Sequence, residues 1–409
     1  MTTYRELLAR LVTARRFGIK LELDRMRAVL DRLGAPDRRL GLVVHVGGTN
    51  GKGSTVAMIA ALASGARVAT YTSPHLSSLR ERIVIDGEMI SEPSIVEVAS
   101  RVDIAGGSEL TFFEQITAIA IVAIAEADVD LTILEVGLGG RLDATNVVDA
   151  PFAVVTGVAM DHEAILGDSL DAIAREKAGI FKRGQRAIIG ASGLPAAVPL
   201  LVAHARAAGV EHITVIDREA IDRVPPVALF GAHQRANAAA ALAVVDELEA
   251  RGVVTEVDRS AALAGVQHPG RFEEIGEVIL DGAHNPHGAE ALAAALRERG
   301  TRPVLVIAVS ADKDVRAIAK MLAPAVSAVV ATRYQQERAM EPAALAQIFH
   351  EVAPSLAISM APDLRSALAI AQQPIVIAGS LFIVGEARVL LAGAIADPIV
   401  VSDPAIRAR

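Results

Sequence analysis

Hydrophobic positions along the chain follow two alternating patterns. Short continuous runs of β-branched and aliphatic residues give way to longer stretches where Ala and Leu recur at helical spacing. Leu42–Val46 reads as a buried strand, and Thr55–Ala63 as the helix after it. Further strands are predicted at Arg67–Tyr71, Leu131–Val136, Phe152–Val158 and Arg186–Ile189, with helices at Phe113–Glu126 and Leu170–Ala178. A second series begins near Gln267-His268-Pro269-Gly270. Its predicted strands are Val278–Leu280, Val304–Val309, Ala328–Ala331 and Pro374–Ala378, and its helices Gly288–Arg299, Val315–Leu322, Pro342–His350 and Leu364–Ala371. Strands alternating with helices predict mostly parallel sheets flanked by helices. The chain therefore reads as α/β in two domains, residues 1–267 and a smaller unit over 268–409.

Composition narrows the class. With 409 residues, 52% of them apolar, and no low-complexity tract, the chain can bury large cores. It has no Cys, which excludes disulfides, thiolate catalysis and Cys-ligated metals and fits a reducing cytoplasm. The start, Met1-Thr2-Thr3-Tyr4-Arg5-Glu6, lacks the apolar core of a secretion signal. No apolar run reaches the roughly 18–20 residues of a membrane-spanning helix. A net charge of −8 without any basic run argues against a nucleic-acid partner. The expectation is a cytoplasmic protein that binds small molecules and neither nucleic acid nor membrane.

The first strand runs into Gly47-Gly48-Thr49-Asn50-Gly51-Lys52-Gly53-Ser54-Thr55, which opens a helix. Glycines let backbone N–H groups approach phosphate oxygens, and the helix N-terminus favours negative charge. Lys52 adds a mobile cation, and Ser54 or Thr55 can offer a hydroxyl to phosphate or to a phosphate-bound Mg²⁺. The generic phosphate-loop pattern is not met: Val46 stands where its first Gly belongs, and Gly53 separates Lys52 from Ser54. The bland alternative is a glycine-rich turn, which the strand–loop–helix context and the lysine disfavour.

This loop resembles the ATP loop of the dihydrofolate synthase/folylpolyglutamate synthase family within the Mur ligase superfamily. The resemblance continues, in the family's order, through Tyr71–Leu76, Thr111–Glu114, Glu135–Asn146, Asp161-His162 and Glu176–Ile180. It then covers His233–Ala238, Pro269–Arg271, Asp281–Pro286 and Asp312–Asp314, almost the whole chain. It implies a phosphate-loop ATPase-like parallel sheet first and a Rossmann-like glutamate ligase domain second. It also implies ATP and Mg²⁺, with a monovalent cation as a further requirement, and a monomer.

Glu135 ends an apolar strand, where a carboxylate needs a partner. The glycines after it indicate close backbone approach, but Leu142 stands where a dinucleotide fingerprint requires Gly. The resemblance places Ser73, Glu135 and His162 around the metal. Lys177, in an apolar helix, has an ion pair with Glu176 or a snorkelling role as its bland reading. In the family the matching lysine carries a carbamate, and a lysine of lowered pKa can react with CO₂ in this way. The nucleotide is expected at Asn50, Gly51, Lys52, Gly53, Ser54 and Thr55, with Asn237 on adenine and Arg271 and Asp281 reaching it from the linker and second domain. The folate substrate is expected along Phe17-Gly18-Ile19-Lys20-Leu21, Thr111, Phe112, Phe113 and Glu114, and Leu142, Asp143 and Ala144. Of the two aromatic rings, one can stack on a flat ligand while the other packs in the core. His284, with Ser380, is expected beside the incoming glutamate or the reaction centre.

A carboxylate does not condense with an amine unaided. The expected route is attack of the folate or dihydropteroate carboxylate on the ATP γ-phosphate, then displacement of phosphate by the amine of L-glutamate. Lys52, Arg271 and Mg²⁺ would offset the transferring charge. A Mur-type ligase of cell-wall precursors is the alternative enzyme, disfavoured because only 46 residues precede Gly47. An ATP-driven binding or switch protein is the alternative of another class.

Overall fold

The computed structural model describes residues 2–14 and 22–403. The first sheet has eight strands: β1 (Leu42–Gly47), β2 (Val68–Tyr71), β3 (Ile83–Ile85), β4 (Glu88–Met89), β5 (Leu131–Glu135), β6 (Phe152–Val155), β7 (Arg186–Ile189) and β8 (His212–Val215), in the order β4-β3-β2-β5-β1-β6-β7-β8. The six strands from β2 to β8 across the sheet are parallel, and β3 and β4 add an antiparallel edge. Side chains alternate across this sheet as the pleat requires. Phe152 and Val154 join a core with the helices Lys52–Leu62 and Ala232–Ala250, while Ala153 and Val155 face the helices Leu170–Ala178 and Ala197–Ala207.

The second sheet comprises β9 (Glu273–Ile275), β10 (Val278–Leu280), β11 (Val304–Ile307), β12 (Ala328–Ala331), β13 (Ala357–Met360) and β14 (Ile375–Ala378), in the order β13-β12-β11-β14-β10-β9. Only β9 is antiparallel. Leu305 and Ile307 pack on one face and Val306 on the other, so this sheet too is covered on both sides. Among the described residues no helix is long and apolar enough to cross a membrane.

Two features place the site. In the first sheet, β1 lies between β5 and β6, where the strand order reverses, and α/β sheets gather ligands outside the C-terminal strand ends at such a point. Glu135 at the end of β5, the loop after β1 and the loop after β6 therefore converge. The predicted strand Phe152–Val158 stops at Val155 because the chain turns there to brace the β1 loop. Thr156 N–H bonds Gly47 O at 2.9 Å, and the Thr156 hydroxyl donates to Asn50 O at 2.6 Å.

Candidate active site

The loop after β1 is held from several sides. Gly48 has φ 139°, and a Cβ there would lie 2.0 Å from the Thr156 hydroxyl; one at Gly51, φ 84°, would lie 2.2 Å from Asn237 Oδ1. Both glycines are required by these contacts. Lys52 begins the helix and folds back, its Nζ 3.3 Å from both Gly48 O and Thr49 O. Thr55 is fully buried and its hydroxyl has no partner, whereas Ser54 is 2% exposed. Asn237 is buried beneath the loop. Its Oδ1 accepts from the Ser192 hydroxyl at 2.6 Å and its Nδ2 donates to Gln234 at 2.9 Å, so it braces the loop with both ends occupied.

Lys177, 4% exposed, reaches the same carbonyl as Lys52, with its Nζ 3.0 Å from Gly48 O. Burial, and then the neighbouring Lys52 charge, push its pKa down to about 7. Glu176 does not pair with it; that carboxylate binds Arg141 instead.

Glu135 lies close by. Its Oε2 accepts the Ser73 N–H at 3.0 Å, and burial raises its pKa against the pull of Lys52. His162 follows β6 in a left-handed conformation, φ 56°, and burial lowers its pKa to about 3, leaving a neutral imidazole. Burial also works against the charge of Asp161, but His162, Lys313 and His284 outweigh it and hold its carboxyl well below the usual range. Among the described residues, no three His, Cys, Asp or Glu side chains form a preformed metal cage. A single carboxylate, a serine and a neutral imidazole suit a cation that brings phosphate and water ligands of its own.

The second domain meets this centre through a polar ladder. Asn50 and Asn285 exchange side-chain hydrogen bonds at 3.1 and 3.3 Å, and Asn50 also lies 2.9 Å from His287 Nδ1. Asn285 then donates to Asp161 at 2.8 Å, and Lys313 donates to the other Asp161 oxygen at 2.9 Å. Arg271 lines a cleft of about 890 Å³ with Gly53 and His268. Asp281 is tied up locally, accepting from Phe272 N–H and Ala283 N–H, each at 2.9 Å.

A second cavity, of about 210 Å³, is lined by Ser73, Thr111, Phe113, Glu114, Leu142, Asp143, Ala144, His162, His284, Lys313 and Ser380, among others. Among the described residues, all those expected to hold folate except Phe112 thus line one space that His284 also lines. Phe113 lines it, while Phe112 is fully buried in the core beneath Arg82, 5.5 Å from its ring centre. Asp143 lines the cavity but its carboxylate is already saturated: Oδ2 accepts from Gly137 and Leu138 N–H, and Oδ1 from the Thr145 N–H and hydroxyl. Glu114 differs. Oε2 caps its helix through Thr111, and Oε1 is buried without a partner. His284 Nδ1 donates to Gly282 O at 2.7 Å, which leaves Nε2 as the free acceptor of the neutral ring, and burial lowers its pKa to about 4. Phe17, Gly18, Ile19, Lys20 and Leu21 lie outside the described residues.

Sequence reasoning gave no role to Asn285, Lys313 or Asp161, although each sits in a segment that carried the resemblance. It gave no signal at all for Arg82, Arg338 or Asp403. The tail bearing Asp403 returns to the first domain, where the fully buried Arg82 bonds Asp403 at 2.7 Å and His75 bonds Val401 O at 2.8 Å.

A parallel-sheet ATP loop joined to a second α/β domain through the reaction centre defines a Mur-type ligase architecture. Residues 46–215 match the Mur ligase middle domain, and residues 270–394 match the Mur ligase glutamate ligase domain. The dihydrofolate synthase/folylpolyglutamate synthase of Mycobacterium tuberculosis is 35% identical over 90% of this chain and 89% of its own length. The solved M. tuberculosis folylpolyglutamate synthase complexed with ADP has a TM-score of 0.84 at 34% identity, covering 95% of this chain and 99% of that one. The bifunctional folylpolyglutamate synthase/dihydrofolate synthase of Yersinia pestis, complexed with AMPPNP and a Mn ion, gives 0.83 at 28%, covering 96% and 98%. The chain spans only half of a probable bifunctional folylpolyglutamate synthase/dihydropteroate synthase of Haloferax volcanii, at 35% identity over 94% of this chain. The chain belongs to the dihydrofolate synthase/folylpolyglutamate synthase family.

Proposed function

We propose that the protein is an ATP- and Mg²⁺-dependent ligase that joins the amine of L-glutamate to the carboxylate of a dihydropteroate or folate through an acyl phosphate. One observation carries the reading: a single cavity is lined by Phe113 and by Glu114, whose Oε1 has no partner, from the first domain and by His284, Lys313 and Ser380 from the second. The Ser73 turn on its rim hydrogen-bonds Glu135, beside the phosphate loop. Phe113 offers its face to a flat heterocycle, and Glu114 Oε1 accepts from a ring N–H.

Bound Mg²⁺ would supply charge stabilisation on the phosphates. Ser73, Glu135 and His162 would hold it, with Lys177 contributing as its carbamate. Lys52 and Arg271 bind phosphate oxygens, and Asn50, Gly51, Gly53, Ser54 and Thr55 shape the loop around them. Neutral His284 accepts a proton from the attacking amine. Substrates filling the cavity would exclude water that otherwise hydrolyses an acyl phosphate. The domains divide at 267/268, and the enzyme works as a cytoplasmic monomer.

The test is purified protein with ATP, Mg²⁺, K⁺ and glutamate, offered dihydropteroate or tetrahydrofolate separately, with products read by mass spectrometry. A glutamylated product, with ADP formed only when both acceptor and glutamate are present, supports the ligase. ADP formed without glutamate would instead make the chain a switch. Omitting K⁺ in a parallel run tests the monovalent-cation requirement.

A further inference from the structure

The second cavity is polarised in a way the ligase reading does not by itself require. Carboxylates of Glu114, Asp143 and Asp403 line the side built by the first domain and the tail, and Lys313 and Arg338 line the side built by the second domain. The two cations are not equivalent. Lys313 is committed to Asp161, both side chains being about nine-tenths buried, and Asp161 adjoins His162 and the ladder to the phosphate loop. Arg338 is held more loosely, in a longer ion pair that leaves guanidinium donors over. Among the described residues its closest carboxylate is Asp312, 3.5 Å away, its Nε is buried without a partner, and its guanidinium lies 5.4 Å above the Phe382 ring.

The backbone carrying Arg338 is fixed. Ala311 N–H bonds Arg338 O at 2.9 Å, Met340 N–H bonds Val309 O at 2.9 Å, and Ser310 bridges Ala339. Ser310 and Tyr334 share a 2.7 Å hydroxyl contact beneath it. This guanidinium stands at the cavity wall with its Nε unpartnered and the Phe382 ring at its face.

We infer that Arg338 receives the side-chain carboxylate of the incoming amino acid and selects a dicarboxylic amino acid over its amide. The inference rests on the ligase reading and deepens it. The amine must sit near His284 and the phosphate loop. A carboxylate three carbons from that amine extends along the wall that Lys313 and Arg338 share, and of these two cations Lys313 is already paired with Asp161. A planar guanidinium meets a carboxylate with two parallel N–H···O bonds, which a neutral amide cannot complete. A site built around such a pair rejects the analogue that leaves it unmatched.

The experiment compares wild type with Arg338→Gln and Arg338→Lys in the ligase assay, using glutamate and glutamine as competing amines. Arg338→Gln raises KM for glutamate by roughly 10- to 100-fold, the range for a lost charged hydrogen bond. KM for ATP and for the folate acceptor stays within about twofold of wild type, and the preference for glutamate over glutamine collapses. Arg338→Lys, which keeps the charge but not the fork, falls between, and serves alone should Arg338→Gln fail to fold. If wild type makes no glutamylated product from either acceptor, the ligase reading fails and takes the inference with it. If wild type ligates but both variants keep its KM for glutamate and still refuse glutamine, the inference alone is overturned. A parallel rise in KM for the acceptor also overturns it.

Discussion

Lys177 gives the sharpest prediction. Two lysines converge on one carbonyl, with Lys52 Nζ 3.3 Å and Lys177 Nζ 3.0 Å from Gly48 O. Burial and the Lys52 charge bring Lys177 from the usual 10.5 down to about 7. At pH 8 a lysine of ordinary pKa is neutral in about 0.3% of molecules and Lys177 in about 90%, roughly a 300-fold enrichment of the form that reacts with CO₂. A carbamate also replaces repulsion from Lys52 with attraction. The sign for stability follows from linkage. A lysine whose folded pKa is lowered destabilises the fold, with no cost above pH 10.5, a growing cost as pH falls, and the full cost below about 7. For a bare amine this amounts to about 4 kcal/mol at pH 7.

Three measurements check this. In ¹³C-bicarbonate the wild type should give one carbamate resonance that is absent from Lys177→Ala. Ligase activity should fall in rigorously CO₂-free buffer, return on adding bicarbonate, and be partly restored in Lys177→Ala by a short carboxylic acid but not in Lys177→Arg. In CO₂-free buffer Lys177→Met should be more stable than wild type at pH 7, with the gap closing as pH approaches 10.5. Full activity without CO₂, together with no carbamate resonance, would refute the carbamate reasoning. The lysine would then be a phosphate ligand.

The other predictions concern separate parts of the site. Lys52→Ala should abolish most phosphoryl transfer and leave the unfolding midpoint nearly unchanged, because the side chain touches only loop carbonyls; near-normal turnover would remove the assignment. Glu135→Gln and His162→Ala should each raise the Mg²⁺ concentration for half-maximal rate, and unchanged titrations in both would put the metal elsewhere. Phe113→Ala should raise KM for the folate acceptor, while Phe112→Ala should destabilise by about 3–5 kcal/mol without that change; calorimetry and kinetics on the pair would expose a reversed assignment. Asp403→Asn should destabilise by roughly 3–5 kcal/mol, because it leaves the fully buried Arg82 without its counter-ion; an unchanged melting curve would contradict this.

Much of the fold was legible because a strand buried on both faces leaves an unbroken apolar run, as at Ala328–Ala331 and at Ala187–Ile189 within the strand Arg186–Ile189, where predicted and observed bounds coincide. The hairpin β3–β4 was not legible. Its strands have three and two residues, too short for alternation to register, and it is fixed by pairing with β2 rather than by its own pattern. In the site, glycines, Lys52 and Glu135 were legible since their types are unusual at a strand end. Asp143 has a bracing role that its sequence context does not show. A carboxylate in a loop suggests a ligand contact, yet all its acceptor positions go to its own neighbours, which only coordinates reveal. Arg338 and Asp403 carry no local signal because their partners are remote in sequence; Arg82 and Asp403 are 321 residues apart.

On the proposed function, the ladder from Asn50 through Asn285 and Asp161 to Lys313 would explain why the chemistry sits where the two sheets' loops meet. Asn50 belongs to the phosphate loop, Asp161 precedes His162, and Asn285 and Lys313 come from the second domain. A buried carboxylate is stable only when its partners are present. Separating the domains would remove Asn285 and Lys313 from Asp161 together and replace them with water. Bringing them back pairs the carboxylate, places His284 at the cavity and connects the loop to the second domain in one step. On the proposed function, the reaction centre would be complete only when the two domains are together, the same condition that would exclude water. The Ser73-Pro74 turn belongs to this arrangement as well. Pro74 lines both the 890 Å³ cleft and the 210 Å³ cavity, with Ser73 N–H held by Glu135.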